Sequence, residues 1–312
     1  MGWVMTIRTQ RAVAAIAALI AGLATTLCSA GPAGAAVTGR IAFNRAGDIY
    51  VANRDGSQAK RITFFNGSAG YPRWSPDGKT ILFQARGSVW RIQPDGNGWA
   101  VLFPGERPAW SQDGKSVVYS DSIDYVRTVR VRQLSTGATT EIDSSGDCGG
   151  GLADFESGPS AAFLPDGRTV IYGTRIYTDY PKACSTHTST DVTSRTVEQP
   201  HWATLTTWRA YAEFVDLDSA PTGSLYVVAT DAGSKDRLGR LYLGDRRSGR
   251  RWRITRDTGV FAPTFAPDGR SVYYSQLTAS GQWRVRRVSL GAPDHPRTIL
   301  DGGAEPTVEP VH

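Results

Sequence analysis

Short runs in which apolar and polar residues alternate recur along the chain, and most of them follow an Asp-Gly dipeptide. The runs read KTILF, KSVVY, RTVIY and RSVYY, and they begin at Lys79, Lys115, Arg168 and Arg270. Period-two alternation of β-branched and aromatic residues is typical of a strand with one buried face. Helical periodicity is nearly absent beyond residue 35. The pattern therefore predicts an all-β protein.

Each alternating run is the second half of a longer repeated phrase. The phrases are YPRWSPDGKTILF, RPAWSQDGKSVVY, SAAFLPDGRTVIY and APTFAPDGRSVYY, and a weaker copy, APTGSLYVV, starts at Ala220. Asp can accept hydrogen bonds from nearby backbone N–H groups, and Gly tolerates the positive φ that closes a tight turn. The predicted turn residues are Asp77, Gly78, Asp113, Gly114, Asp166, Gly167, Gly223, Asp268 and Gly269.

The segment before each turn predicts a short first strand. It carries a large ring at one fixed place, which is Trp74, Trp110, Phe163 or Phe265, and such a ring suits packing between sheets. Three copies also carry a proline, Pro72, Pro108 or Pro263, which we expect as the first residue of the strand, where a missing N–H does no harm. Third and fourth strands follow each phrase, as in SVWRI and WRVRRV.

Four antiparallel strands in each unit predict a β-propeller. After residue 36 the chain begins with second, third and fourth strands, and Ala304–Val311 repeats only the opening of a unit. We therefore expect the C-terminal strand to complete the first blade and close the ring. The predicted fold is an all-β, six-bladed β-propeller of four-stranded antiparallel blades. The predicted blades are 37–63 with 304–312, 64–103, 104–143, 144–200, 201–255 and 256–303.

The phrase Trp74-Ser75-Pro76-Asp77-Gly78-Lys79 resembles the repeat of TolB-like, WD-like β-propellers, and the other copies match it in part. The resemblance covers almost all of the chain after the first 35 residues. It implies a secreted or periplasmic propeller that binds other proteins, and it brings no catalytic residue with it. TolB-type proteins usually have a separate N-terminal domain before the propeller, and none is expected here.

Residues 1–35 are typical of a secretory signal peptide. Arg8 and Arg11 precede an apolar run, Ala12–Leu27, and Ala33-Gly34-Ala35 fits the small-residue cleavage pattern. The apolar run is shorter than the ~20 residues of a membrane-spanning helix. An uncleaved N-terminal anchor stays open as an alternative. We expect a single propeller domain, residues 36–312, secreted or in the periplasm or cell envelope of a bacterium, with no transmembrane anchor after cleavage.

Cysteine content agrees with export. Cys28 lies in the predicted signal peptide, which leaves Cys148 and Cys184 as an even pair in an oxidising compartment. A disulfide between them is the expectation, and two unpaired core residues are the alternative. The net charge of +6 permits contact with acidic envelope polymers without requiring it. Nucleic acid is not expected as a partner of an exported chain, and the chain is expected to be a monomer.

Two long segments depart from the repeat, at about 144–160 and 177–202. Each contains one of the two cysteines, so a disulfide would join them on one face of the propeller. Loops on a rigid scaffold commonly carry binding surfaces. The candidate binding residues in these segments are Asp154, Glu156, Tyr177, Tyr180 and Trp202. The alternative is that these are irregular loops with no ligand.

Arg237–Arg256 holds eight arginines in 20 residues. A patch for acidic polymer or phosphate is one interpretation. We favour the other, in which these residues form the solvated side of the third and fourth strands of blade five, with arginine stems covering apolar surface.

No local motif of an enzyme occurs in the sequence, since it lacks G-x-S-x-G, HExxH and a Gly-rich phosphate loop. No cofactor is therefore predicted. Six-bladed propellers nevertheless include lactonase-like hydrolases, whose metal ligands in the axial channel come from separate blades. The primary prediction is a protein-binding or scaffold module. A metal-dependent hydrolase with an axial site is the alternative.

Overall fold

The computed structural model describes residues 39–123, 126–144, 160–177, 187–198, 202–208, 215–232, 234–236 and 238–310. These residues form 24 β-strands and contain no helix. No helix of this part of the chain is long and apolar enough to cross a bilayer. The all-β prediction is confirmed.

The strands run in chain order as β1 Arg40–Arg45, β2 Asp48–Asn53, β3 Lys60–Arg61, β4 Ala69–Trp74, β5 Ile81–Ala85, β6 Ser88–Ile92, β7 Ala100–Pro104, β8 Glu106–Trp110, β9 Ser116–Ile123, β10 Val126–Gln133, β11 Thr139–Ser144, β12 Ala161–Phe163, β13 Thr169–Tyr177, β14 His187–Thr196, β15 Trp202–Trp208, β16 Val215–Ser219, β17 Leu225–Thr230, β18 Arg240–Asp245, β19 Arg251–Arg253, β20 Val260–Phe265, β21 Ser271–Leu277, β22 Trp283–Ser289, β23 Ala292–Asp301 and β24 Ala304–Val308.

These strands form six four-stranded antiparallel sheets, which are the blades of a propeller. Blade one has the order β24-β1-β2-β3, so the C-terminal strand is its first strand and closes the ring, as predicted. Blades two to six take four consecutive strands each, starting at β4, β8, β12, β16 and β20.

The two ends of the blades carry different connections. One end carries the loops between second and third strands and the connections from one blade to the next, and we call it the hairpin face. The other end carries the turns between first and second and between third and fourth strands, and we call it the turn face. Because the predicted insertions follow β11 and β13, they leave the blades at the hairpin face.

Six hydrophobic cores lie between neighbouring blades. The core between blades one and two, for example, joins Ile49 and Ile62 of blade one to Trp74 and Phe83 of blade two. The repeated rings Phe163 and Phe265 occupy the equivalent place in other cores, and Trp110 packs against a third. The predicted role of these rings in packing sheet against sheet is confirmed.

The Asp-Gly turns have the predicted chemistry. Gly78 has φ 66°, and the other turn glycines have φ between 66° and 80°. Asp77 Oδ1 accepts hydrogen bonds from the Ser75 hydroxyl and the Lys79 N–H, at 2.6 and 3.1 Å. The Ser75 hydroxyl bond, followed by the Lys79 N–H bond, holds the pKa of Asp77 below its usual value. The same arrangement recurs at Asp113 with Ser111 and Lys115.

The predicted boundary between blades four and five, at residues 200 and 201, is wrong. β15, Trp202–Trp208, pairs with β14 and is therefore the fourth strand of blade four, whereas blade five begins at β16. Part of the predicted insertion 177–202 is also strand, because β14 spans His187–Thr196. Both strands are rich in Thr, whose branched Cβ favours extended backbone without giving an apolar pattern.

The arginine-rich segment lies on the third and fourth strands of blade five, β18 and β19, as favoured from the sequence. Arg240 pairs with Asp236, and Arg253 donates to the backbone carbonyls of Thr255, Arg256 and Asp257. These guanidinium groups thus serve the local structure of blade five.

A matched pair of glycines tests the packing of the hairpin face. Gly47 and Gly87 occupy equivalent loops with φ of 73° and 69°. A Cβ at Gly47 would lie 2.2 Å from the backbone of Gly67, whereas a Cβ at Gly87 would meet nothing within 4 Å. We expect Gly87→Ala to lower the free energy of unfolding by about 1–2 kcal/mol, the cost of the left-handed conformation. Gly47→Ala should lower it by clearly more, as measured by urea unfolding. Equal losses would contradict the close approach.

Candidate functional site

The first strands of four blades carry a shared irregularity near the hairpin face. Tyr71, Arg107, Ala262 and Glu305 have φ of 51°, 49°, 43° and 54°, and each precedes a proline. The pairing of each first strand with its second strand shifts register at this point. The prolines therefore lie inside the strands at bulges, and the expectation that they begin the strands is wrong. Because the bulge interrupts the ladder of backbone hydrogen bonds, the N–H group that proline lacks is not needed at this position.

Positive φ is costly for these residues, at about 1–3 kcal/mol each, and persists where the surroundings enforce it. Here each of the four N–H groups donates to a side chain of the preceding blade in the ring. The four hydrogen bonds are Tyr71 N to Glu305 Oε2 at 2.7 Å, Arg107 N to Gln84 Oε1 at 2.9 Å, Ala262 N to Asp216 Oδ2 at 2.9 Å and Glu305 N to Ser275 Oγ at 2.6 Å.

A cavity of about 420 Å³ opens above these residues, with Arg107 and Asp216 in its lining. Arg107 of blade three reaches Asp216 of blade five, and its Nη1 lies 2.5 Å from Asp216 Oδ1. Both residues are buried, at 8% and 4% exposed. The guanidinium group also lies 4.4 Å from the centre of the Tyr71 ring and donates to the Tyr71 hydroxyl at 2.6 Å. Since blades three and five are not neighbours, this ion pair spans the propeller axis.

Burial and charge act in opposite directions on the groups of this floor. Burial lowers the pKa of Arg107, but Tyr71 and Asp216 more than offset it and hold that pKa above its usual value. Burial raises the pKa of Glu305, against the opposing effects of the Tyr71 N–H bond and the charge of Arg107. At the centre of the cavity floor, the charges of Arg107 and Asp216 are thus paired across the axis.

The rim of the cavity has a different character. The Arg45 guanidinium donates to the carbonyls of Gly302 and Asp301 at 2.9 and 3.0 Å, which fixes its position. It also lies 5.1 Å from the Phe43 ring. Trp283 is 37% exposed and packs edge-on against Phe261 at 5.5 Å. A fixed cation and an aromatic pair therefore border the opening.

The structure does not describe most of the candidate binding residues that the sequence singled out. Asp154, Glu156 and Tyr180 fall outside the described residues, as do Cys148 and Cys184, so the predicted disulfide stays a prediction.

The backbones of the two remaining candidates lie toward opposite ends of blade four. Tyr177 ends β13 at the hairpin face, whereas Trp202 begins β15 at the turn face. Trp202 pairs with Arg195, and Arg195 pairs with Val170, which is seven residues from Tyr177 along β13. At ~3.3 Å per residue the two backbones are roughly 20 Å apart along the blade. Trp202 therefore begins a strand and does not lie in a loop, and a binding role for Tyr177 and Trp202 stays a prediction.

Sequence reasoning missed Tyr71, Arg107, Asp216 and Glu305. Three of them precede the proline that opens a repeat unit, where the residue type changes from copy to copy. A varying residue inside an otherwise regular phrase could have marked Tyr71, Arg107 and Glu305. Asp216 has no following proline and gives no such signal.

No group of three or more His, Cys, Asp or Glu side chains that could hold a metal ion occurs in the described part of the chain. The channel carboxylates of Asp216 and Glu305 instead accept backbone N–H groups. The described residues therefore supply no ligand set for the axial-metal alternative.

Solved structures with the same fold include TolB from Acinetobacter baumannii, with a TM-score of 0.70 and 17% identity over 88% of this chain and 68% of that chain. A putative TolB from Agrobacterium tumefaciens gives 0.65 and 16%, over 86% and 92%. A chain of a nidogen/laminin complex gives 0.62 and 12%, over 87% and 98%. No protein-family model and no curated protein matches the sequence. The likeness establishes the fold, a TolB-like β-propeller.

Removing one partner of the axial ion pair tests its role in the floor. Asp216→Ala leaves the Arg107 guanidinium buried without its carboxylate, so we expect the free energy of unfolding to fall by about 3–5 kcal/mol. The double variant Arg107→Leu with Asp216→Leu should lose less than Asp216→Ala, because no unpaired guanidinium group stays buried, although the Ala262 N–H loses its acceptor in both. Urea unfolding measures both. The exposed pair Arg284–Asp301 is the control, and Asp301→Ala should cost under about 1 kcal/mol. An Asp216→Ala loss as small as that of the control would contradict the account.

Proposed function

We propose that this TolB-like propeller is an exported protein-binding module of the bacterial cell envelope or exterior, and that its partner contacts the hairpin face. One observation carries the proposal most directly. The cavity at that face combines a rigid floor with an exposed aromatic and cationic rim, formed by Trp283 and Arg45. Concave sites of this composition are typical of specific recognition.

Preorganisation favours this site over the rest of the surface. The floor residues are fixed by hydrogen bonds from neighbouring blades and by the Arg107–Asp216 pair. Arg45 is fixed by two backbone carbonyls. Binding to groups that are already ordered costs less conformational entropy than binding to mobile ones. A partner segment that enters the cavity therefore meets groups already in place.

Exposed apolar residues extend the same surface. Phe64, Leu277 and Trp283 are 71%, 36% and 37% exposed, and all three lie where strands meet the hairpin face. Arg61 stacks its guanidinium on Phe64 at 4.5 Å from the ring centre. Aromatic and arginine side chains are enriched at the centres of protein interfaces. A protein partner that covers the hairpin face would bury these side chains.

Export rests on the sequence. The signal-peptide pattern of residues 1–35 and the even cysteine pair support a location outside the cytoplasm. The predicted Cys148–Cys184 disulfide would join two segments that both leave the blades at the hairpin face. It would stiffen the border of the proposed contact surface. The metal-dependent hydrolase stays the alternative, and metal analysis of the purified chain separates the two.

Photo-crosslinking tests which face binds a partner. Replacing Trp283 by p-benzoylphenylalanine places the reactive group at the rim of the cavity, and replacing Arg270 places it in an exposed loop of the turn face of the same blade. We expect a discrete protein adduct from position 283 in the exporting cell, and none from position 270. Adding Arg45→Ala should reduce the adduct at least several-fold, because the rim loses its fixed cation. An adduct from position 270 alone, or from neither, would contradict the proposal.

A further inference from the structure

A second cavity, of about 300 Å³, opens on the turn face. Polar and apolar groups contribute about equally to its lining, which includes Trp110 from a first strand and, from the turns, prolines such as Pro221 and Pro267. Its volume lies at the lower end of the range for small-molecule pockets. It is separate in position from the cavity of the hairpin face.

Arg73 is the one cation among the described residues that line this second cavity. It lies two residues after Tyr71 in β4, is half-buried, and donates from Nη1 to the Pro72 carbonyl at 3.0 Å. The ion pairs found among the described residues do not include Arg73. A guanidinium group carries five N–H donors in a planar fork that matches a carboxylate. The cavity thus places a hydrogen-bond donor array in an open concave site of mixed polar and apolar lining.

Asp218 is the one acid in the described lining, and both of its carboxylate oxygens already accept hydrogen bonds from the protein. Its Oδ2 accepts the Phe265 N–H at 2.9 Å and the Thr264 hydroxyl at 3.0 Å, and its Oδ1 accepts the Ser219 N–H at 2.9 Å. Burial raises the pKa of Asp218, against the opposing effect of the charge of Arg73. Asp218 therefore serves the joint between blades five and six.

We propose that the turn-face cavity binds a small organic carboxylate. The carboxylate accepts two hydrogen bonds from the Arg73 guanidinium, and its hydrocarbon or aromatic body lies against Trp110 and the prolines of the turns. Charge-assisted, bidentate bonds of this kind are the strong ones, and the Trp110 ring and the prolines supply apolar contact. The site does not depend on a partner at the hairpin face.

Three carboxylates with different bodies probe the site, namely 3-phenylpropionate, indole-3-acetate and octanoate, each beside its methyl ester. Saturation-transfer NMR and calorimetry on the propeller, residues 36–312, measure binding. At least one acid should bind, and its ester should bind at least tenfold more weakly, because the ester cannot form charge-assisted bonds. Absence of binding by all three acids, or equal binding of acid and ester, overturns the proposal.

Variants locate the site. Arg73→Gln should weaken the acid at least tenfold, Arg73→Lys should retain part of the affinity, and Ala109→Phe should abolish binding by filling the cavity without removing the charge. Arg270→Gln, on the same face outside the cavity, is the matched control and should bind as the parent does. Unchanged thermal melting shows that each variant is folded. Binding that persists in both Arg73→Gln and Ala109→Phe overturns the proposal, and crosslinking at position 283 reports separately on the hairpin face.

Discussion

The propeller depends on how the inner edges of its six first strands are satisfied. Each first strand pairs with a second strand on one side only, so its other edge faces the axis. Unpaired backbone groups in such an enclosed place would be costly. Side chains of neighbouring blades meet this need, as Asp216 does for the Ala262 N–H and Asp218 does for the Phe265 N–H. The blades are thus joined at the axis by polar bonds and farther out by apolar cores.

This constraint also shapes the two cavities. Near the hairpin face four of the first strands bulge before a proline, and two of the freed N–H groups bind the carboxylates of Glu305 and Asp216, with Arg107 beside them. Two residues farther along β4 and β16, Arg73 and Asp218 occupy the equivalent tier near the turn face. Groups that hold the ring together therefore also form the floors of the openings. The two proposed binding sites therefore use charged groups that also hold the blades together.

The repeat made the fold predictable, because strand alternation and Asp-Gly turns are local signals. Closure of the ring by β24 was also predictable, because Ala304–Val311 repeats the opening of a unit and blade one lacked a first strand. Strands β14 and β15 were not predictable in the same way, because their Thr-rich sequences lack an apolar period. The floor of the hairpin-face cavity was missed for a different reason. Arg107 and Asp216 are 109 residues apart, and only closure of the ring brings them together.

Native-state hydrogen exchange by NMR tests the central claim most directly. If side chains of neighbouring blades hold the inner edges, the amides of Tyr71, Ala262 and Phe265 should exchange as slowly as amides of the second strands, such as that of Leu82. Their acceptors are the carboxylates of Glu305, Asp216 and Asp218. Exchange of these three amides as fast as that of exposed loop amides would contradict the account, because the ring would then be joined by its apolar cores alone.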